Sequence, residues 1–458
     1  MFHNIKKLSL VAASAISAIF VMAQDNQSGY FVEDYTYRFL MNPALGNSRN
    51  FVAMPALGNV NAELAGNLSL TDVIYNVDGR TTTFLNPGVS ASELMGNLND
   101  MNKTGVNMRL NILSGGFKAW GGYNTINISA RADVNVHLPK SIFSFLKEGI
   151  SNQTYDIAGV KANAIGYGEI SLGHSRDITP EIRVGANLKF LVGIGSVDAN
   201  LEKAELALNR DCWDITSNAT VHTSLKGMRY EMDRNKHTGH EYVSGLDGDF
   251  SAPNGFGVAV DLGATYAPKA LRDWEFSLAL LDLGFISWSE DLLASTNGDK
   301  HFRSDDFSFN ADGDAPNSFS AEWKRMRNNL TALYELESDG NIGSRTQALH
   351  ATVNVGASYT LPVYRKVKFG LLNTTRIAGD YSWTDFRLSA NIAPCKVLSA
   401  GVNGSIGTFG GGFGWLVNLH CPGFNLFLAQ DNSFAKIAKQ GVPLKSNASA
   451  SVGINFLF

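Results

Sequence analysis

Cysteine is almost absent: three residues in 458. A chain this poor in cysteine is no disulfide-built scaffold. Charge is also scarce, since only 17% of residues are Asp, Glu, Lys or Arg, and the balance is slightly acidic at −4. No basic patch marks a nucleic-acid partner. Beyond the first two dozen residues, no apolar run reaches the length of a spanning helix. Catalytic signatures are missing too. There is no nucleophile elbow, no His-Glu-x-x-His and no phosphate-cradling glycine loop. No cofactor is expected, and the chain does not read as an enzyme. Pro/Ser-rich hinges and charge runs are absent, so the length does not divide into linked soluble domains.

What is present begins with an export signal. Lys6 and Lys7 precede an apolar stretch, Leu8 to Met22, and Val21-Met22-Ala23 offers small residues before Gln24. Residues 1–23 read as a signal peptide, too short for a membrane span.

After it the sequence alternates. In "EIRVGANLKFLV" (181–192), Glu181, Arg183, Asn187 and Lys189 point one way, and Ile182, Val184, Leu188 and Phe190 the other. Side chains along a strand change face at every residue, so this is a strand with one polar and one apolar side. "ARADVNVHL" (130–138), "HATVNVGASYTL" (350–361) and "FRLSANI" (386–392) repeat the pattern. The strands are long, at roughly ten residues or more, as a tilted membrane crossing requires. They run through the whole chain in one series. Their polar face carries charges, as a wet lumen permits.

The reading is therefore all-β: a transmembrane antiparallel β-barrel of about 14–16 strands in a bacterial outer membrane. Residues 61–458 form the barrel, and residues 24–60, rich in aromatics, Asn and Gly and poor in alternation, form an N-terminal segment that either folds inside the barrel or is a periplasmic arm. Candidate crossings run from 61–70 to 447–458, with 181–194, 196–208 and 213–226 as three separate ones. Counted back from Phe458, "LHCPGF", "APCK", "LPVYRK", "APKALRD", "NRDC", "SRDITPE" and "WGGYN" become short periplasmic turns, and every long gap falls on the other side.

Arg131, Asp133, Glu181, Arg183, Lys189, Arg376 and Arg387 lie on the polar face and are expected to line the lumen. There they either cross-link a sealed interior or set a field for a solute. Cys395 and Cys421 lie symmetrically about Thr408. They are expected to meet at the periplasmic rim, either as a disulfide or as two free thiols. "HTGH" (237–240) and "NADGDAPN" (310–317) read as surface loops and not as metal sites. "SIFSFLKEG" (141–149) reads as a short amphipathic helix on an outer loop.

Several stretches, taken together and in order, carry a resemblance: "YRFLMNPALGN" (37–47), "GFGVAVDLGATYAP" (255–268), "WEFSLALLDLGFISW" (274–288), "GFNLFLAQDN" (423–432) and the closing "GINFLF". The ensemble resembles a Bacteroidetes-type family of outer-membrane barrels catalogued as a domain of unknown function. That family is more distantly similar to PorV, PorP/SprF-like and long-chain fatty-acid transporter barrels. The resemblance implies a barrel of about fourteen strands. It implies that Asn42-Pro43-Ala44 is the hatch motif of the transporter relatives, and with it that residues 24–60 are an N-terminal hatch inserted in the barrel as a plug. It also implies that Ser451, Gly453, Phe456 and Phe458 form the signal read by the barrel-assembly machinery. Two functions follow as expectations. One is passive transport of a small or hydrophobic solute. The other is a non-transporting scaffold for periplasmic or surface protein partners.

Overall fold

The computed structural model describes residues 26–149, 152–209, 212–236, 239–304, 324–325, 333, 335–432 and 448–458. The leader (1–23), the "NADGDAPN" stretch and His237 of "HTGH" lie outside them.

Alternating sequence becomes wall. Among the described residues, fourteen antiparallel strands form one closed sheet. β1 has two segments, Phe51–Ala53 and Asn59–Gly66. It is followed by β2 Met101–Ala119, β3 Gly122–Pro139, β4 Val160–Asp177, β5 Ile182–Leu208, β6 Gly255–Tyr266 and β7 Trp274–Ser295. The rest are β8 Ala351–Thr360, β9 Val367–Ile377, β10 Trp383–Cys395, β11 Leu398–Gly407, β12 Gly410–Cys421, β13 Phe424–Gln430 and β14 Ala448–Leu457. Each strand pairs with the next, and β14 returns to β1 with Phe51 opposite Leu457 and Val60 opposite Val452. Closure leaves no wall edge with unpaired N–H and C=O groups, a condition that hydrocarbon imposes. No described helix is long and apolar enough to cross a membrane.

The wall is apolar outside and polar inside. Leu188 is 46% exposed while its neighbour Lys189 is 3% exposed, and the same inversion recurs around the sheet. Val258, Leu262, Leu278, Leu371, Leu388, Val402, Leu428 and Phe456 face outward, and Asn107, Ser171, Asn187, Asn354, Asn391 and Asn418 are buried within. A soluble sandwich would bury the other face.

Two expectations about the strands change. The segments 196–208 and 213–226 are not separate crossings. β5 runs for 27 residues, and its far half pairs with Trp213–Ser224. That strand pairs in turn with Thr296-proximal β7 residues and with Lys300–Arg303. These strands continue the sheet past the end of the wall, at the end that carries the long loops. Asn209 and Cys212, the ends of "NRDC", therefore lie at that end, not among the short turns. Period two is the same in lipid and beyond it, so alternation alone could not mark the exit. The wall also begins at Phe51, ahead of residue 61.

Helix α1, Lys140–Glu148, lies over the same end. Its Phe143 packs with Leu94 and Leu98 of the neighbouring loop, so its apolar face closes a small local core.

Candidate functional site

Two groups of residues meet the inward side chains of the wall. One is the stretch 26–50. It is irregular, with only two short 3-10 turns, Gln27–Gly29 and Arg38–Leu40. Irregular backbone leaves many unpaired polar groups. Here the inward side chains of the wall satisfy them. Asn354 donates to Met41 O at 2.8 Å, Arg183 Nε to Ala44 O at 2.8 Å and Asn418 to Asp34 O at 2.9 Å. Asp431 accepts from the backbone N–H of both Gln27 and Ser28 at 2.9 Å. Tyr37 donates to Asn455 at 2.7 Å. These anchors come from β5, β8, β12, β14 and the end of β13, so the segment is tied around the circumference.

Asn42, Pro43 and Ala44 sit at the centre of this packing. Asn42 is fully buried. Its Oδ1 accepts from Ala44 N at 2.9 Å, a turn that Asn favours. Its Nδ2 donates to Tyr30 Oη at 3.2 Å and reaches Ala264 O and Leu278 O of the wall at 3.4 Å. Aromatic rings fill the rest: Tyr35 meets Phe427 edge-on at 4.9 Å, and Tyr37 meets Phe51 at 5.8 Å. Leu457 packs inward against this cluster.

The other group is a network of buried charges. Lys189 Nζ stands 2.7 Å from Asp261 and 2.6 Å from Asp282. Arg131 contacts Asp282 at 2.9 Å and Glu169 at 3.1 Å. Arg109 reaches Glu169 at 4.0 Å. Three cations thus face three carboxylates, which is how buried charge is tolerated. Arg376 pairs with Asp133 beside them. A β-bulge between β6 and β7 shapes the cluster. There the register slips at Asp261, Asp282 adopts a left-handed φ of 58°, and its N–H donates to Asp261 at 2.8 Å. Sequence reading did not single out Asp261, Asp282, Glu169 or Arg109. The signal was there: "VAVDLGA" and "LLDLGF" each hold one Asp in an otherwise apolar run.

Of the residues expected to line the lumen, Arg131, Asp133, Lys189 and Arg376 meet in this network. Arg183 holds the N-terminal segment. Arg387 lies further along, bridging Asp385 at 3.0 Å and Asp431 at 3.1 Å. Glu181 is elsewhere. It precedes β5 in the short turn and pairs with Lys269 at 3.3 Å, because the strand begins only at Ile182. Cys395 and Cys421 are both exposed free thiols. Cys395 faces Leu398 in one hairpin and Cys421 faces Phe424 in another. Their strands β10 and β12 flank β11, which sets them about 10 Å apart, beyond disulfide reach. Ser451 and Gly453 point inward, and Phe456 and Phe458 outward.

A third feature is a run of buried amides on β1 to β3. Asn59 faces Asn111 across the β1–β2 pair, and Asn127 is nearby on β3. All three are at most 1% exposed. Among the described residues the side-chain amides of Asn59 and Asn127 have no hydrogen-bond partner, and Asn111 lies within reach of the Tyr37 hydroxyl.

A closed antiparallel sheet, apolar outside and filled with polar groups, is a membrane-spanning β-barrel. Within that class, the chain belongs to a family of unknown function, DUF5723, whose model matches residues 43–431. No curated protein matches it. Among solved structures it is similar to the toluene transporter TbuX of Ralstonia pickettii, with 10% identity, coverage of 93% of this chain and 94% of that one, and a TM-score of 0.42. It is similar to the toluene transporter TodX of P. putida, with 9% identity, 92% of each chain and a TM-score of 0.41. A Pseudomonas aeruginosa FadL homologue matches with 8% identity, 95% of this chain and 98% of that one, and a TM-score of 0.35.

Proposed function

We propose that this protein is an outer-membrane barrel for passive transport of a small solute, held shut at rest by residues 26–50 acting as a plug. One observation carries the reading. The segment packs against inward side chains of the wall without joining the sheet, and individual side-chain hydrogen bonds hold it. Such contacts contribute roughly 0.5–1.5 kcal/mol each and can be exchanged a few at a time. The buried amides of Asn59 and Asn127, without a partner among the described residues, supply donors and acceptors for a polar solute along β1–β3. The charge network gives the closed state a fixed shape.

The test is a tether. Val32 lies against the wall at Gly401, where an added side chain would meet Val32 Cγ2 at 3.1 Å. A Val32→Cys/Gly401→Cys pair, with the native thiols changed to serine, should close off solute uptake into proteoliposomes when oxidised and restore it when reduced. Equal uptake in both states removes the plug from the reading, and no uptake in either removes transport.

A scaffold is the second reading. The prolongation of β5 and β7 beyond the wall, with the hairpin Met228–Arg234 and Glu241–Gly248, supports it. Those strands project sheet surface that a lipid-spanning wall does not require. Stoichiometric co-purification of a partner, lost when the hairpin is deleted, is its signature. Ser451, Gly453, Phe456 and Phe458 are assigned to recognition by the assembly machinery. Phe458→Ala should then lower the amount of assembled barrel.

A further inference from the structure

The turn between β9 and β10 touches the far side of the ring. Each strand pairs with the next around a closed sheet of fourteen, so the strand opposite β10 is β3. Yet Asp380 and Tyr381 of that turn meet side chains of β2, β3 and β4. Lys103 Nζ of β2 donates to Asp380 O at 2.5 Å, and Lys161 of β4 forms an ion pair with the Asp380 carboxylate. The Tyr381 ring lies 4.3 Å from the imidazole of His137 on β3. Arg376, at the end of β9, reaches across in the same way to Asp133 of β3.

The receiving side is a row. Lys103 faces His137 across the β2–β3 pair, and His137 faces Lys161 across the β3–β4 pair. All three lie on one face of the sheet, the face that carries Arg131 and Asp133. Like charges set side by side on a sheet repel. The carboxylate that the fold sets against this basic row is Asp380, from the opposite wall. Asp198 of β5 also acts on Tyr381, and it accepts from Asn163 at 3.2 Å.

The turn itself is stiff. Gly379–Tyr381 forms a 3-10 turn, and Ser382 Oγ donates to Gly379 O at 2.6 Å and accepts from Ala378 N at 3.0 Å. Its ties to the far wall are few and open to water. The Asp380 side chain is 59% exposed and that of Lys161 33%. Exposed ion pairs hold weakly and are screened by salt. A stiff turn on few, weak contacts can leave and return as a unit.

We propose that the turn Gly379–Tyr381 is a lid, which docks through Asp380 on the row Lys103, His137 and Lys161 and covers the long-loop mouth of the barrel. That the lid gates passage rests on the transport reading. That it docks and undocks does not.

The experiment uses the full chain with its native cysteines changed to serine and His137→Cys added. His137 is 3% exposed beside Tyr381, so maleimide labelling at this position in detergent reads whether the turn is seated. Labelling should be slow in this parent. Asp380→Lys sets like charge against the row and should speed it several-fold. Adding Lys103→Glu and Lys161→Glu reverses both sides and should slow it again. Uptake of arabinose into proteoliposomes, an uncharged probe on which the altered charges do not act, should rise and fall in step. Heat-modifiable gel migration checks assembly, and if Asp380→Lys does not assemble, Asp380→Asn decides. Fast labelling of the parent, or labelling unmoved in an assembled Asp380 variant, overturns the docking. Faster labelling with unchanged arabinose uptake, in a barrel that takes it up, overturns the lid. No uptake in any variant refutes transport, and labelling still decides the docking.

Discussion

Gly370 of β9 lacks a side chain at the point where the ring of Phe31 presses on the wall. A Cβ there would fall inside the contact distance of three ring carbons. Wall and N-terminal segment thus fit by omission as well as by hydrogen bonding. The phenyl ring is buried.

Gly370→Ala is expected to unseat this part of the segment. Overpacking of a filled interior costs typically 1–3 kcal/mol. Urea titration of the reconstituted barrel should show the loss, and protease should gain access to residues near Phe31. Unchanged stability together with unchanged protection would mean that the ring has another place to go.

Lys189 answers two carboxylates at once. Lys189→Met leaves Asp261 and Asp282 facing one another with less compensation, and breaking a buried pair costs about 3–5 kcal/mol. Lys189→Met/Asp261→Asn removes one charge of each sign and should recover most of that loss. A double-mutant cycle in urea measures the coupling. Additive single effects would show that the two side chains do not act as a pair.

Asp380 lies in the turn between β9 and β10, outside the wall. A hydrogen bond from Lys161, and then the charge of that same lysine, holds its carboxyl below the usual aspartate range. A lowered folded-state value means that the contact stabilises the turn above the ordinary aspartate pKa of about 4 and is lost as pH falls below it through the lowered value. Hydrogen exchange at Gly379–Ser382, corrected for intrinsic rates, should therefore accelerate on acidification from pH 5 to about 3. Asp380→Asn should already exchange fast at pH 5. Acid sensitivity that persists in the variant would place the titrating group elsewhere.

Cys395 and Cys421 are expected to react as two free, accessible thiols in the non-reduced protein, with half-buried Cys212 slower. Maleimide labelling followed by peptide mapping distinguishes this from a Cys395–Cys421 bridge, which would leave only Cys212 reactive.

The face of each residue was legible because it depends only on neighbours. Leu188 and Lys189 alternate by the geometry of a strand, and the same holds for Val452 and Ser451 of β14. The short turns at Trp120-Gly121 and "LPVYRK" follow from the same counting. The end of the wall was harder to read. β5 keeps alternating past it, and only the exposed Glu202, Lys203 and Glu205 mark the change. The charge network was half visible. Arg131 and Lys189 stood on the polar face, but their partners Asp282 and Asp261 sit at a bulge that interrupts alternation. A period cannot register an insertion that breaks it.

The sequence by itself determined an all-β chain whose strands are apolar on one face and polar on the other, and the direction in which its loops alternate in length. These are local properties, set by a repeat of two residues. Only the tertiary structure decided that β14 closes on β1, that the count is fourteen, that residues 26–50 pack against inward side chains of the wall, and that Lys189 lies between Asp261 and Asp282. Alternation gives a residue its side of the sheet. It does not give its height or its partner, because partners here come from strands far apart in the chain and meet only when the sheet closes.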